Sequence, residues 1–329
     1  MSDQKPQPGV VRLPARDVPL PGSLSPEARG YMEWLISLPE GQGPVDALRK
    51  PGLVAAIPQM EAAMLAFAEP LLAACDSDTS IETIGGVRTV VARRRSGGGD
   101  GGIQFHLHGG GFVLGGGRAC EAFTAKLSDD FGGTVYGVDY RMPPAHPFPA
   151  AVDDSLAVYR EIIRRHEPKQ IYVSAISAGG SIAGATLLRA KAEGLPMPAA
   201  LVLQTPSVDL EETGDSPESL MYLDPMLKSL GPETHPLYAN GHDMSDPLLS
   251  PINGDLRRFP PTILTTGTRD LLLSATVLMH RALRRAGVTA ELHVWDGMPH
   301  GGLGGQSPED REVVSEIRAF LDRYVATKA

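Results

Sequence analysis

The sequence is poor in cysteine and has no excess of basic residues. Only two cysteines, Cys75 and Cys120, occur in 329 residues, and their spacing matches neither a zinc motif nor a redox motif. Two thiols fall short of the disulfide framework of a small secreted protein, so we expect both to be free and at least partly buried. Acidic residues outnumber basic ones by 39 to 30, which gives a net charge of −9. Nucleic acids and anionic membranes are therefore not expected partners, because they bind clustered Lys and Arg.

Long hydrophobic runs are also absent. Residues 1–22 are polar and rich in proline, and they contain no apolar run long enough for a signal peptide. No later segment reaches the roughly 18 apolar residues of a membrane-spanning helix. We therefore expect a cytoplasmic protein. The one short basic run, Arg93-Arg94-Arg95, is interpreted as the solvated end of a strand.

Short apolar runs that alternate with helical patterns predict an α/β fold. The alternation begins at about Ile81 and predicts a mostly parallel central sheet of about eight strands, with helices on both faces. The predicted strands are Ile81–Ile84, Val87–Arg93, Ile103–Leu107, Thr134–Val138, Ile171–Ser174, Leu201–Gln204, Ile263–Thr266 and Leu292–Trp295. The predicted helices of this part are Ala119–Phe131, Ala150–His166, Ser181–Glu193, Ser274–Gly287 and Pro308–Ala326.

Two segments do not follow this alternation. Residues 1–75 show helical apolar spacing over Pro26–Leu38 and Leu53–Ala74, and residues 207–253 are rich in Pro, Gly, Met and Leu. No linker separates either segment from the rest of the chain as an independent unit. We therefore predict N-terminal cap helices over 1–75 and a main domain over 76–329, whose insertion at about 207–253 contributes to the same cap.

Ser177 is the candidate nucleophile. It stands in the segment Tyr172–Gly180, where a predicted strand ends and a predicted helix begins, and this is the context of a nucleophile elbow. The sharp turn of an elbow needs small residues two positions to either side, and Ala175 and Gly179 meet that need. The N-terminus of the following helix would favour developing negative charge. A serine that caps an ordinary helix is the alternative, and this segment alone does not decide between the two.

The segment His108–Phe112 is a candidate oxyanion hole. It reads His-Gly-Gly-Gly-Phe and directly follows a predicted strand. Glycines leave the backbone N–H groups free of side-chain bulk, so that these groups can approach a tetrahedral intermediate closely. A merely flexible turn is the alternative. We expect His108 and Gly109 to orient the loop. The expected hydrogen-bond donors are the amides of Gly110, Gly111 and Ala178.

Asp270 and His300 are the candidate acid and base. Each follows a predicted strand, so both belong to the carboxyl edge of the sheet, where ligands bind in open α/β folds. The order Ser…Asp…His is the one that α/β hydrolases use. His280 and His293 lie within a predicted helix and a predicted strand and are expected to be structural. We therefore predict a catalytic triad in which Asp270 holds His300 and His300 activates Ser177.

Further motifs accompany these residues. They are Asp139-Tyr140-Arg141, Pro144–Ala151, Asp153-Asp154 and Asp246–Pro251. Together with the segments above, they resemble the hormone-sensitive-lipase-like group of α/β-hydrolases, mostly bacterial carboxylesterases, from about Ile81 to the C-terminus. The resemblance implies an α/β-hydrolase fold, an N-terminal helical cap over the active site, and hydrolysis of small-molecule esters of short to medium acyl chain through an acyl-enzyme. Members of the group are often monomers or homodimers, and the sequence does not decide between these states.

The sequence departs from this group beside the nucleophile. The group usually has Gly-Asp or Gly-Thr before Ser-Ala-Gly-Gly, whereas Ala175 and Ile176 precede Ser177 here. Ala175 is expected to fit a turn that tolerates small residues. Ile176 removes a polar side chain beside the nucleophile, and with it the group's usual hydrogen bonding at this point. The run Leu271–Leu273 after Asp270 is more apolar than is typical and indicates a drier surround.

The remaining motifs predict neither a cofactor nor a metal. Gly97, Gly99 and Gly102 match the dinucleotide-binding glycine pattern, but they precede a strand, whereas that pattern opens a helix. His106 and His108 lack the third protein ligand that a catalytic zinc requires.

Other activities stay open at this point. The same triad would serve a lactone hydrolase or an acyltransferase. A non-catalytic small-molecule binding protein of this fold is disfavoured because Ser177 and His300 are both present. A set of apolar residues in the two cap segments either lines an adaptable pocket or belongs to the core. These residues are Met60, Met64, Phe67, Met221, Tyr222 and Met226.

Overall fold

The centre of the molecule is an eight-stranded sheet. The structure, a computed structural model, describes residue 11 and residues 15–38, 52–96, 101–227 and 233–326. The strands are β1 (Ser77–Ile84), β2 (Val87–Arg94), β3 (Ile103–Leu107), β4 (Thr134–Val138), β5 (Ile171–Ile176), β6 (Ala200–Gln204), β7 (Thr262–Gly267) and β8 (Ala290–Trp295). Their spatial order is β1-β2-β4-β3-β5-β6-β7-β8. The six strands from β4 to β8 in this order are parallel, whereas β2 is antiparallel to both of its neighbours.

The burial of the strands follows from their positions in the sheet. Strands β3 and β7 are buried along their whole length, as is usual for central parallel strands covered on both faces. Strand β1 lies at an edge, and only its first and last residues, Ser77 and Ile84, are buried. Gly85 and Gly86, with φ of +59° and +83°, form the tight turn that joins β1 to the antiparallel β2.

Helices cover both faces of the sheet. They are α1 (Pro26–Ser37), α2 (Leu53–Ala74), α3 (Arg118–Phe131), α4 (Ala150–Arg165), α5 (Gly179–Ala192), α6 (Ser216–Ser219), α7 (Thr234–Ala239), α8 (Leu273–Arg285) and α9 (Pro308–Leu321). Helices α4, α5 and α8 pack on one face, which carries Val173 and Leu203. Helices α3 and α9 lie on the other face, where α9 and α1 pack against Tyr172 and Val202. The period-two alternation of strand side chains thus supplies both interfaces.

The predicted fold class is confirmed. All eight strands and the helices expected between them occur, with bounds that differ by a few residues. The helix predicted over Pro308–Ala326 ends at Leu321, and the amide of Ala326 donates to Lys169 O at 2.8 Å. The two thiols are free and buried, and Arg93 is exposed at the end of β2, as expected.

Two further sequence expectations can be compared with the structure only within the described residues. Gly97 and Gly99 of the rejected glycine pattern lie outside the described residues, whereas Gly102 leads directly into β3. In the described ranges, the structure has no helix with the length and hydropathy needed to cross a bilayer.

Candidate active site

Ser177 occupies a strained turn between β5 and α5. Its φ is +52°, in the left-handed region that non-glycine residues rarely adopt. The turn is held by Ser177 O, which accepts hydrogen bonds from the amides of Gly180 (2.8 Å) and Ser207 (2.9 Å). A Cβ at Gly179 would lie 2.2 Å from Leu107 O, so the backbones approach too closely for any other residue. The turn therefore presents a half-buried Ser177 hydroxyl at the carboxyl edge of the sheet.

The structure brings Ser177, His300 and Asp270 into one hydrogen-bonded line. His300 Nε2 lies 2.9 Å from Ser177 Oγ, and His300 Nδ1 lies 3.0 Å from Asp270 Oδ1. Asp270 is fully buried, and its carboxylate also accepts from Thr266 Oγ1 (2.7 Å) and from the amide of Leu272 (2.9 Å). These bonds fix the carboxylate that faces the ring. Asp270 and His300 follow β7 and β8, the strands after which the sequence locates them.

The surroundings of His300 favour its protonated form. Burial by itself lowers the pKa of His300, but the hydrogen bond to Asp270 and the negative charges of Asp270 and Asp224 outweigh it and raise that pKa above its ordinary value. An imidazole in this environment accepts the proton of the Ser177 hydroxyl readily. It must first be neutral, however, so the fraction of His300 able to accept this proton increases as the pH rises through its raised pKa.

The glycine loop lies directly against the nucleophile. A Cβ at Gly109 would lie 3.1 Å from Ser177 Cβ. Gly110 and Gly111 have φ of +119° and +60°, a backbone conformation that glycine adopts without steric cost. In the described ranges, no group accepts a hydrogen bond from the amides of Gly110, Gly111 or Ala178. These three N–H groups are therefore available to an oxyanion.

His108 supports this loop. Its ring stacks on Tyr140 with the ring centroids 4.1 Å apart, and the Tyr140 hydroxyl donates to His108 O at 2.7 Å. His108 Nδ1 lies 2.7 Å from Gly109 O. Burial lowers the pKa of His108, so the ring is neutral and its Nδ1–H donates to that carbonyl. The contacts fit the loop-orienting role that the sequence suggests for His108 and Gly109.

One group of side chains in the described part of the chain has the atoms of a metal site. The ligand atoms of His108, Cys120 and Asp139 lie within 4.8 Å of one another. The Asp139 carboxylate, however, already accepts from the amide of Gly117 (3.0 Å) and pairs with Arg88. Burial also raises the pKa of the Cys120 thiol, which disfavours the thiolate that a metal requires. The donor set therefore does not fit a metal ion.

Ile176 lies at a cavity of about 800 Å³ beside the nucleophile turn. Thr205 lines the same cavity, and its buried hydroxyl has no hydrogen-bond partner in the described ranges. His106 also lines it; its Nδ1 lies 2.8 Å from Ser174 Oγ, and burial lowers its pKa to about 3. Ile176 thus places one apolar side chain in a cavity whose lining also includes polar and charged residues. His106 is hydrogen-bonded in the core and is not one of the three potential ligands named above.

Helix α2 packs against the residues that follow the glycine loop. Ile57 and Met60 of α2 pack against Val113 and Leu114. The amide of Leu53, the first residue of α2, donates to Glu233 at the start of α7 (3.0 Å). The two segments outside the strand–helix alternation therefore contact each other next to the loop.

The apolar residues considered for a pocket differ in exposure. Met60 is 4% exposed and belongs to the cluster under α2, whereas Phe67 and Tyr222 are 58% and 74% exposed. Helix α1 lies elsewhere, against the loop that carries His300, since a Cβ at Gly304 would lie 2.8 Å from the Tyr31 ring. The first helix thus supports the base, and the second supports the glycine loop.

Asp224 also lies at the site, although nothing in the sequence singles it out. Its buried carboxylate accepts from the amides of Leu271 (3.0 Å) and His300 (3.3 Å). It belongs to the segment 207–253, which shows no apolar periodicity. Asp224 is followed by a proline. Because Asp-Pro pairs are common in turns, this pair does not indicate a role at the site.

Comparisons with known proteins agree with the architecture. A family model described as alpha/beta hydrolase fold matches residues 104–303. An acetyl-hydrolase of Streptomyces hygroscopicus is 31% identical over 226 residues, which cover 68% of this chain and 76% of that protein. The crystal structure of an esterase aligns with a TM-score of 0.86 and 33% identity, over 96% of this chain and 99% of the other. That of an esterase from the bacterial hormone-sensitive lipase family aligns with a TM-score of 0.79 and 29% identity, over 92% and 99%.

Proposed function

The chain belongs to the α/β-hydrolase family, within its hormone-sensitive-lipase-like group, and is a carboxylesterase, and we propose that it cleaves esters through a triad of Ser177, His300 and Asp270. The observation that carries this proposal is the unbroken line of hydrogen bonds from Ser177 Oγ through His300 to Asp270, at 2.9 and 3.0 Å. A serine capping an ordinary helix would have no reason to face a buried His–Asp pair.

In the first half of the reaction, Ser177 Oγ bonds to the carbonyl carbon of the ester. Its proton passes to His300 Nε2, and Asp270 stabilises the imidazolium that results. The carbonyl oxygen becomes an oxyanion that accepts hydrogen bonds from the amides of Gly110, Gly111 and Ala178. The carbon–oxygen bond to the alcohol then breaks, and His300 gives its proton to the leaving oxygen.

In the second half, water releases the acyl group. His300, neutral again, takes a proton from the water as its oxygen bonds to the acyl carbon. The second tetrahedral intermediate uses the same three amides and collapses to free acid, while the proton returns to Ser177 Oγ. Each half-reaction therefore restores the protonation state from which the next one starts.

Replacing Ser177 by alanine tests the triad. Ser177→Ala should reduce turnover of p-nitrophenyl acetate by at least about 10³-fold, because the covalent route is lost. A fluorophosphonate probe should label the wild-type protein stoichiometrically at Ser177, as read by mass spectrometry of the labelled peptide.

Ser315→Ala is the matched control, since Ser315 lies exposed on α9. It should keep wild-type turnover and full labelling. Near-wild-type turnover by Ser177→Ala, or labelling at another serine, would refute the assignment.

The proposed substrates are esters of short to medium acyl chain. The similarity to a protein named acetyl-hydrolase supports the short end of this range. We also propose that α2 and the segment 207–253 form the cap over the acyl site, supported by the contact of α2 with Val113 and Leu114. A panel of p-nitrophenyl esters from two to about twelve carbons, with lactones alongside, measures the preference directly.

A further inference from the structure

The carboxylate of Asp224 accepts four backbone hydrogen bonds. Its Oδ2 accepts from the amides of Leu271 (3.0 Å) and His300 (3.3 Å). Its Oδ1 accepts from the amides of Met226 (2.9 Å) and Leu227 (3.1 Å). The side chain is fully buried. A buried carboxylate is costly unless its oxygens are hydrogen-bonded, and here both are satisfied by N–H groups.

These bonds connect three separate parts of the chain. Leu271 directly follows Asp270 on the loop after β7, and His300 itself lies on the loop after β8. Met226 and Leu227 belong to the segment between β6 and α7. One carboxylate therefore holds the backbone of the acid loop and the backbone of the base at a fixed separation. The 3.0 Å contact between Asp270 and His300 depends on that separation.

Asp224 is also a second negative charge close to the base. The titratable groups that face it are Asp270 after β7, His300 after β8 and Tyr31 on α1. Burial and the charge of Asp270 raise the pKa of Asp224 to about 6, against the lowering effect of His300 and the backbone hydrogen bonds. Burial together with the charges of Asp310 and Asp224 raises the pKa of Tyr31 to about 12, so this phenol stays neutral.

We propose that Asp224 is a positioning residue for ester hydrolysis, which fixes the acid and base loops and whose charge stabilises the imidazolium of His300. The inference rests on the proposed function of the triad. A carboxylate with a purely local role bonds within its own segment, as Asp209 does. Asp209 is 5% exposed and accepts from the amides of Glu211 (3.2 Å) and Thr213 (3.0 Å).

Asp224→Asn tests the proposal, because asparagine keeps the shape but removes the charge and one acceptor oxygen. We expect kcat to fall between about 10-fold and 10²-fold, with KM changed by less than about threefold. The acid limb of the kcat profile should move to lower pH, because His300 loses one of the negative charges that raise its pKa. Asp224→Glu keeps the charge, so its acid limb should stay at the wild-type position even where kcat falls.

Asp209→Asn is the matched control, which should leave both kcat and the acid limb at their wild-type values. An Asp224→Asn enzyme with wild-type kcat, or with lowered kcat and an unmoved acid limb, would overturn the proposal. Fluorophosphonate labelling of Ser177 separates the two hypotheses. An Asp224→Asn variant that labels normally but keeps the wild-type acid limb of the kcat profile would refute only the role of Asp224. A wild-type protein that resists labelling would refute the triad itself.

A second measurement covers the case in which Asp224→Asn does not fold. Wild-type protein with ¹⁵N-labelled histidine is titrated by NMR, and the His300 ring signals are followed. Because Asp224 and His300 face each other, His300 should titrate in two coupled steps. A single step independent of any carboxyl would contradict the proposal.

Discussion

At the scale of single residues, the site depends on places where two backbones come closer than a side chain permits. Gly179 is such a place, because α5 begins there against the end of β3. A Cβ would lie 2.2 Å from Leu107 O and 2.6 Å from His108 O, and neither backbone oxygen can turn away as a flexible side chain would. The nucleophile and the glycine loop are positioned through this contact.

Gly179→Ala should therefore separate β3 from α5. We expect the free energy of unfolding to fall by at least about 2 kcal/mol and esterase activity to be largely lost. Chemical denaturation measures the first and p-nitrophenyl acetate turnover the second. In Gly30→Ala, where no atom lies within 4 Å of the new Cβ in the interior of α1, stability should rise by about 0.5–1 kcal/mol. Equal stability of the two variants would contradict the contact.

The hydrogen-bonded line of Ser177, His300 and Asp270 could be predicted because each residue follows a predicted strand, and two of them stand in short glycine-rich motifs. Ser177 precedes Ala-Gly-Gly, and His300 precedes Gly-Gly. Asp224 could not be predicted, because the two amides that connect it to the site belong to residues 47 and 76 positions away. A hydrogen bond to a distant backbone amide does not depend on the residue type of the donor, so no sequence motif indicates it.

At the scale of elements, sequence pattern and structure agree where the element is long enough to show a period. The apolar spacing of α2 predicts the observed bounds, Leu53–Ala74. Helices α6 and α7 have four and six residues, too few for an apolar period, and neither was predicted. Tertiary contacts hold α6, since the amide of Ser216 donates to Ser274 Oγ at the start of α8 (2.9 Å).

The start of α9 yields a prediction at this scale. Ser307 and Asp310 form a reciprocal cap, with the Asp310 amide donating to Ser307 Oγ (3.0 Å) and the Ser307 amide donating to Asp310 (3.1 Å). Ser307→Ala should lower the free energy of unfolding by about 1 kcal/mol, measured by urea denaturation. Activity should persist, because Asp310 still accepts from Leu303 in the loop after the base. Ser315→Ala on the same helix should cost nothing; an equal loss in both would argue against the cap.

At the scale of the whole molecule, pH acts on stability and on activity in opposite directions. The raised pKa of His300 gives a stabilisation that is present below its unfolded pKa of about 6.5 and is lost as the pH rises through the folded value. Asp224 has a folded pKa of about 6, above its unfolded value of about 3.9, so its ionisation also costs stability as the pH rises. The triad, in contrast, needs a neutral His300.

We therefore expect the unfolding temperature to fall, and kcat/KM to rise, between about pH 5.5 and pH 8. Differential scanning calorimetry and initial rates across this range measure the two trends. Below about pH 4 stability should fall again, because carboxylates such as Glu309 are held ionised: hydrogen bonds from Ser25 outweigh burial and lower the pKa of Glu309. An unfolding temperature that rises from pH 5.5 to pH 8 would show that His300 and Asp224 do not dominate this window.

The packing of α2 against Val113 and Leu114 has a consequence for selectivity among acyl chains. If α2 caps the acyl site as proposed, a bulky acyl group that displaces this helix would also shift the amides proposed to bind the oxyanion. Oversized esters would then bind but turn over slowly, so discrimination by chain length would be registered in the speed of the chemistry rather than in the tightness of the complex.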